Sequence, residues 1–212
     1  AYCLGMKFKE GDEIIISEME HHSNILPWQM LINKKNIKLR YIPLLDSGEL
    51  DMEAFISLIN KKTKLISIIH MSNVLGIINP IDKLTKHAKK NNIPILIDAC
   101  QSIGHQKIDV KRIGCDFLVF SGHKMMGPTG VGVLYINSKY LDKLDPFLRG
   151  GHMIKEVDYL TSTWNDPPWK FEAGTANIAQ VIGLSSGIKY INKIGYSSIK
   201  KHEDILLKKL LF

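Results

Sequence analysis

With 212 residues, 45% of them hydrophobic, the chain is long enough to bury a sizeable core and to form one or two domains. The formal net charge of +7 does not indicate nucleic-acid binding, because the lysines are scattered and no aromatic residues are interleaved with them. No segment approaches the ~20 apolar residues of a membrane helix, and no cleavable signal is visible. The three cysteines (Cys3, Cys100 and Cys115) show neither a C-x-x-C pair nor a metal-binding spacing, which favours a reducing cytoplasm.

Short apolar runs alternate with amphipathic segments along the chain. The runs predict strands over residues 13–17, 38–42, 64–70, 93–98, 115–120 and 131–136. The intervening patterns predict helices over residues 25–35, 51–60 and 81–91, with Ser23 or Asn24 capping the first and Asp51 the second. This alternation predicts an α/β fold in which helices cover both faces of a mostly parallel sheet.

The last third of the sequence has a different pattern. A short helix is expected over residues 139–144, followed by a long irregular segment from Gly150 to Pro168. Loops of that length inside a compact domain are usually functional or intersubunit. A long helix is then predicted over residues 178–194, with Gly183 and Gly187 on one face, and a final helix over residues 196–212.

Polar residues follow four of the predicted strands, namely His21, Asn73, Asp98 and Ser121. Because ligands of open α/β sheets collect beyond the carboxyl ends of the strands, these residues predict one shared site. Lys124 follows soon after Ser121, and an amine together with an acid is what pyridoxal 5'-phosphate (PLP) requires: the lysine forms a Schiff base with the aldehyde, and the acid keeps the ring nitrogen protonated.

Each of these residues also has an ordinary structural interpretation. A lysine after a strand is usually solvated, an aspartate there is commonly a helix cap, and an asparagine is commonly a turn residue. The adjacent His21 and His22 point in different directions on any regular element, and no third ligand has suitable spacing, so we expect no metal site.

Six motifs resemble the class V aminotransferase superfamily of PLP enzymes, and in particular the cysteine desulfurases of the SufS type, which are close to the selenocysteine lyases. They are MEHHSNILPWQ (19–29), SNVLG (72–76), DACQ (98–101), SGHK (121–124), GPTG (127–130) and WKFEAGT (169–175). The resemblance runs over essentially the whole chain and implies a large PLP domain of fold type I.

The resemblance also implies roles for individual residues. Lys124 would hold the cofactor and shuttle protons, Asp98 would pair with the ring nitrogen, and His21 would stack on the ring and assist proton transfer. The remaining cofactor-binding residues are implied to be Gln101 and Asn73 near the phenolic oxygen, Ser121 and His123 at the phosphate, and Thr175 at the phosphate of a neighbouring subunit. Thr175 thereby implies a homodimer with shared sites. Cys100 is expected to be a buried small residue without a catalytic role.

The implied reaction takes sulfur from L-cysteine, with L-selenocysteine as the related substrate, and leaves L-alanine and a persulfide. A sulfur-acceptor protein would take that sulfur for iron–sulfur cluster assembly. The family's persulfide-forming cysteine and its carboxylate-binding arginine match nothing in this sequence. We therefore expect residues 1–195 to form the PLP-binding large domain without its N-terminal part, and residues 196–212 to begin the helix leading to an absent small domain.

Without that cysteine and that arginine, we expect residues 1–212 alone to be inactive as a cysteine desulfurase. Two alternatives stay open: another class V enzyme, such as a selenocysteine lyase or a kynureninase, and a truncated PLP-fold protein that binds without turnover.

Overall fold

A computed structural model describes residues 1–211 and contains a six-stranded sheet at its centre. The strands are β1 (Glu13–Ser17), β2 (Lys38–Ile42), β3 (Thr63–Ile69), β4 (Ile95–Asp98), β5 (Phe117–Ser121) and β6 (Gly132–Ile136). Their spatial order is β2-β1-β3-β4-β5-β6, and all neighbouring pairs are parallel except β5 with β6. The predicted mostly parallel α/β sheet is confirmed, with strand ends displaced by up to two residues.

Strand β6 runs antiparallel because of the length of its connection. Residues 122–131 join β5 to β6, and this is shorter than the dozen or more residues that a parallel crossover needs. The chain therefore turns back at the edge of the sheet.

Helices cover both faces of the sheet, as predicted. They are α1 (Tyr2–Gly5), α2 (Leu26–Lys35), α3 (Met52–Leu58), α4 (Ile81–Lys90), α5 (Val110–Ile113), α6 (Ile178–Ile194) and α7 (Tyr196–Leu211). Successive side chains of a strand point to opposite faces. Accordingly Ile15 belongs to one buried cluster with Phe55 and Leu84, and Ile14 to another with Trp28 and Leu31. The last residue of the final predicted helix, Phe212, lies outside the described residues.

Three local predictions are corrected. Neither Ser23 nor Asn24 caps α2: Ile25 occupies that position without a side-chain cap, because the Asn24 amide is held in buried hydrogen bonds. Residues 139–144 are not a helix; a single 3-10 turn, Ser138–Tyr140, is capped by the Asn137 side chain. By contrast the Asp51 cap is confirmed, since its carboxylate accepts from the Glu53 and Ala54 amides, both at 2.9 Å.

The third correction concerns the segment that was expected to be irregular. It contains an antiparallel hairpin of β7 (Ile154–Val157) and β8 (Ser162–Trp164). Most of its side chains are exposed, so the sequence carries no apolar alternation to reveal it. Within residues 1–211 no helix combines the length and the apolar character needed to cross a bilayer.

Candidate active site

The sheet topology creates a crevice between β1 and β3. The chain leaves β1 toward β2 on one side and returns to β3 on the other, and at such a reversal ligands bind beyond the carboxyl ends of the strands. A cleft of about 380 Å³ lies there, lined by residues 18–22 after β1 and residues 72–75 after β3, with Leu44. The structure thus brings His21 and Asn73 to one cleft.

The orientation of His21 is set by the turn that follows it. Its Nδ1 lies 3.2 Å from the Ser23 backbone nitrogen and 3.1 Å from the Ser23 hydroxyl. A backbone amide can only donate, so Nδ1 is an acceptor, and the proton of the neutral ring is on Nε2.

The tips of β4 and β5 lie side by side. Asp98 ends β4, is only 4% exposed, and pairs in register with Val119 of β5. Its Oδ1 accepts a hydrogen bond from the Cys100 amide at 2.9 Å, and the Cys100 sulfur lies 3.8 Å from the Ser121 hydroxyl. Asp98 and Ser121, which the sequence assigned to one site, are therefore neighbours through Cys100.

Cys100 is half-buried, so the expectation of a buried residue is corrected. Burial first, and then the negative charge of Asp98, raise the pKa of its thiol. Such a thiol is mostly protonated near neutrality and is a poor nucleophile.

Lys124 lies in a tight turn directly after β5. The turn is a 3-10 helix, Gly122–Met125, that ends with Met126 in the left-handed region at a φ of 56°. It is closed by the Gly122 amide on Val131 O (2.8 Å) and by the Gly127 amide on Gly122 O (3.0 Å). Lys124 is half-buried there, whereas His123 is exposed.

Two neighbouring segments pack closely on this turn. A Cβ at Gly104 would lie 2.6 Å from Lys124 O, so the segment that follows Gln101 rests on the lysine backbone. A Cβ at Gly187 would lie 2.6 Å from Met126 O, so α6 rests on the other side. The predicted glycine face of α6 is thus the face that contacts the lysine turn.

Glu20 was missed by the sequence reasoning, although it lies inside the quoted motif. Its side chain is buried, and the carboxyl accepts hydrogen bonds from the Ser17 hydroxyl (2.6 Å), the Asn24 amide (2.6 Å) and the Ile69 backbone (2.9 Å). Burial raises the pKa of Glu20 to about 7, and the charge of Asp98 acts in the same direction. Glu20 therefore joins the turn that carries His21 to the end of β3.

Two further predicted residues lie at the margin of this arrangement. Gln101 is half-buried on the turn that follows Asp98. Thr175 is exposed on the loop that precedes α6, and it takes no part in the hydrogen bonds that hold His21, Asp98 and Glu20 within residues 1–211.

The family model described as aminotransferase class-V matches residues 1–211. The chain belongs to the class-V aminotransferase family. This class-V chain is 50% identical over 202 residues to a cysteine desulfurase of Wigglesworthia glossinidia brevipalpis, covering 94% of this chain and 49% of that protein. It is 48% identical over 197 residues to a probable cysteine desulfurase of Halalkalibacterium halodurans, covering 93% and 48%.

Two solved structures that resemble this chain are also cysteine desulfurases. The apo structure of a cysteine desulfurase from Thermococcus onnurineus NA1 superposes with a TM-score of 0.93 at 44% identity, covering 97% of this class-V chain and 52% of that one. The cysteine desulfurase CsdA from Escherichia coli gives a TM-score of 0.89 at 35% identity, with 92% and 49% covered. The resemblance drawn from the motifs is confirmed, and the sheet has the fold of PLP-dependent transferases. The chain spans about half the length of the curated relatives it matches.

Proposed function

We propose that this chain carries the PLP site of a cysteine desulfurase, which takes sulfur from L-cysteine and yields L-alanine and a persulfide for iron–sulfur cluster assembly. The observation that carries the proposal is the convergence of a buried acid, Asp98, and a lysine turn at adjacent strand tips. The relatives described above are named cysteine desulfurases, which favours this activity over a selenocysteine lyase or a kynureninase.

The residues at this position fit PLP. Burying a carboxylate is costly unless a cation or several donors face it, and Asp98 is 4% exposed with the Cys100 amide on one oxygen. A protonated ring nitrogen would supply the missing cation. Gly122 and Gly127 are required by the lysine turn itself: an added Cβ would lie 2.9 Å from Val131 O and 2.8 Å from Gly122 O, so neither position accepts a side chain.

The chain's own residues would divide the work between binding and proton transfer. PLP, when bound, supplies the electron sink for the electrons released at the substrate Cα. Lys124 Nζ would hold the aldehyde end of the cofactor and then carry protons at the substrate. Asp98 would hold the proton of the ring nitrogen. His21 would donate from Nε2 toward the cleft, since its Nδ1 is occupied by the Ser23 amide.

The outer contacts of the cofactor complete the proposal. Gln101 and Asn73 would lie at the phenolic oxygen, Ser121 and His123 at the phosphate, and Thr175 at the phosphate of a second subunit. The working form would then be a cytoplasmic homodimer that passes sulfur to an acceptor protein. Residues 1–195 would be the large domain, and residues 196–212 would begin the connection to a second one.

Reduction of bound cofactor onto the protein tests this site. The native protein is mixed with PLP, its visible absorbance is recorded, and borohydride treatment is followed by peptide mapping. We expect an absorbance band and a label on Lys124. Lys124→Ala should lose both, whereas Lys143→Ala, which removes an exposed lysine, should keep them. A label on other lysines only, or equal labelling of Lys124→Ala, would reject the proposal.

A further inference from the structure

The backbone pairing of β1 with β3 ends before the cleft. The paired residues are Glu13 with Thr63, Ile14 with Leu65 and Ile15 with Ile66. Beyond them the Ile69 amide, on the side of β3 that faces β1, donates to Glu20 Oε1 at 2.9 Å. A buried backbone amide needs an acceptor, so the Glu20 carboxyl replaces the strand partner at the point where the two strands part.

The other contacts fix the polarity of this network. The Trp28 indole can only donate, and its Nε1 lies 3.1 Å from Asn24 Oδ1, which also accepts from the Ser67 hydroxyl at 2.7 Å. The Asn24 nitrogen must therefore face Glu20 Oε2, at 2.6 Å. Consequently neither the Asn24 amide nor the Ile69 amide can accept a proton from Glu20.

Ser17 is the member of the network that can accept as well as donate. Its hydroxyl lies 2.6 Å from Glu20 Oε1. A proton on Oε1 that points to Ser17 keeps every contact of the network, because the Ile69 amide uses the other lone pair of Oε1. When Glu20 is neutral, the Ser17 contact is thus kept with its direction reversed, at the cost of the hydrogen bond that the Ser17 hydroxyl donates to the ionised carboxylate.

The charged surroundings of Glu20 decide where such a proton would be held. The contacts from β1, β3 and the turn come from uncharged groups, and the titratable groups nearby are the adjacent His21 and Asp98 of β4. Two carboxyl groups in one buried environment do not ionise equally. Burial raises the pKa of Glu20 to about 7, and the charge of Asp98 acts in the same direction, so Glu20 takes up a proton near neutrality.

We propose, resting on the function proposed above, that Glu20 is a positioning residue: it fixes the turn that presents His21, and it can hold a proton toward Ser17 while keeping its contacts to Asn24 and Ile69. It acts through His21.

Reversing the polarity of the Glu20–Asn24 hydrogen bond tests the positioning role. In Glu20→Gln an NH₂ group faces the Asn24 NH₂ group, and we expect PLP to bind the native protein about 10-fold more weakly, with altered visible circular dichroism. Glu20→Gln combined with Asn24→Asp restores a donor facing an acceptor and keeps acceptors for Trp28 and Ser67, so PLP affinity and dichroism should recover. Glu156→Gln, an exposed site on β7, is the matched control and should bind PLP like the parent.

The measurements separate positioning from plain stability. If Glu20→Gln lowers only the thermal midpoint and leaves PLP affinity and dichroism unchanged, Glu20 does not position the site. If the folded double variant does not recover PLP affinity and dichroism, the positioning role of Glu20 is likewise rejected.

An infrared titration of the cofactor-free protein tests the proton by itself. We expect a protonated carboxyl band that grows as pH falls through about 7. The band should be missing from Glu20→Gln, and in Asp98→Asn it should remain but with its titration midpoint shifted to lower pH. Loss of the band in Asp98→Asn rather than in Glu20→Gln would overturn the assignment. A parent that shows the band and binds no PLP would instead reject the proposed function, and with it the positioning role, while leaving the proton on Glu20.

Discussion

Gly187→Ala would push helix α6 away from the turn that carries Lys124. The added Cβ would lie 2.6 Å from Met126 O and 2.8 Å from Met125 O. Both atoms are backbone, so no side-chain rotation can relieve the contact. Ordinary contacts begin at 3.4 Å, so a separation of about 0.8 Å between the helix and the turn would restore an ordinary contact at this point.

Two opposing effects set the size of the change in stability. Replacing a helical glycine by alanine stabilises the helix by about 1 kcal/mol. Overpacking a close contact costs about 1–3 kcal/mol. Because the obstructing atoms are rigid backbone, we expect the upper part of that range and a net loss of about 1–2 kcal/mol.

Urea unfolding of the native protein measures this loss, and PLP titration measures the displacement of the lysine turn. Ser185→Ala is the matched control, since it changes an exposed position of the same helix and should be neutral or slightly stabilising. A Gly187→Ala protein that is more stable than the parent and binds PLP equally well would show that α6 does not rest on the turn.

Three further measurements probe the ionisable groups. The folded-state pKa of Glu20 is raised from 4.5 to about 7, so its contribution to stability is complete below pH 4.5 and is lost as pH rises through about 7. From pH 4 to pH 8 urea unfolding should therefore show the parent losing on the order of 3 kcal/mol relative to Glu20→Gln, and parallel pH curves would contradict this. Asp116 accepts from the Ile95 amide (3.0 Å) and pairs with the exposed Lys139 (2.6 Å). Asp116→Ala should lower the free energy of unfolding by about 1–3 kcal/mol, and Lys139→Met by less than ~1 kcal/mol, as measured by thermal unfolding. A larger loss in Lys139→Met would show that the ion pair, and not the buried hydrogen bond to Ile95, is the main contribution of Asp116. The pKa of the Cys100 thiol is raised by burial and by Asp98, so iodoacetamide should modify it slowly near neutral pH and more slowly with PLP present, as read by mass spectrometry. Modification as fast as that of a free thiol would be inconsistent with this environment.

The sheet was predictable because buried parallel strands leave continuous apolar runs. Ile14, Ile15 and Ile16 are all fully buried, since both faces of β1 are covered. The meeting of His21 with Asn73, and of Asp98 with Ser121, was predictable for a topological reason, because residues that follow parallel strands meet at one edge.

Other features depend on three-dimensional facts that local patterns do not contain. Glu20 can bind the Ile69 amide because the pairing of β1 with β3 ends at Ile15 and Ile66. The point at which two strands distant in sequence separate cannot be predicted from the hydrophobic periodicity of either strand. Asn24 has good capping chemistry, but the buried Trp28 and Ser67 take its side chain instead. The hairpin of β7 and β8 escaped prediction because exposed strands need no apolar face.

The antiparallel edge of the sheet has a consequence for the order of folding. Ser121 pairs with Gly132 across the short turn that holds Lys124, whereas Glu13 reaches Thr63 only after α2, β2 and α3 have been passed. Contacts between near neighbours close with little loss of chain entropy, and distant parallel pairs form slowly. The lysine turn is therefore expected to form early, and the cleft beside His21 only when the distant strands meet. A folding chain would present the reactive amine before it has a pocket to enclose the cofactor.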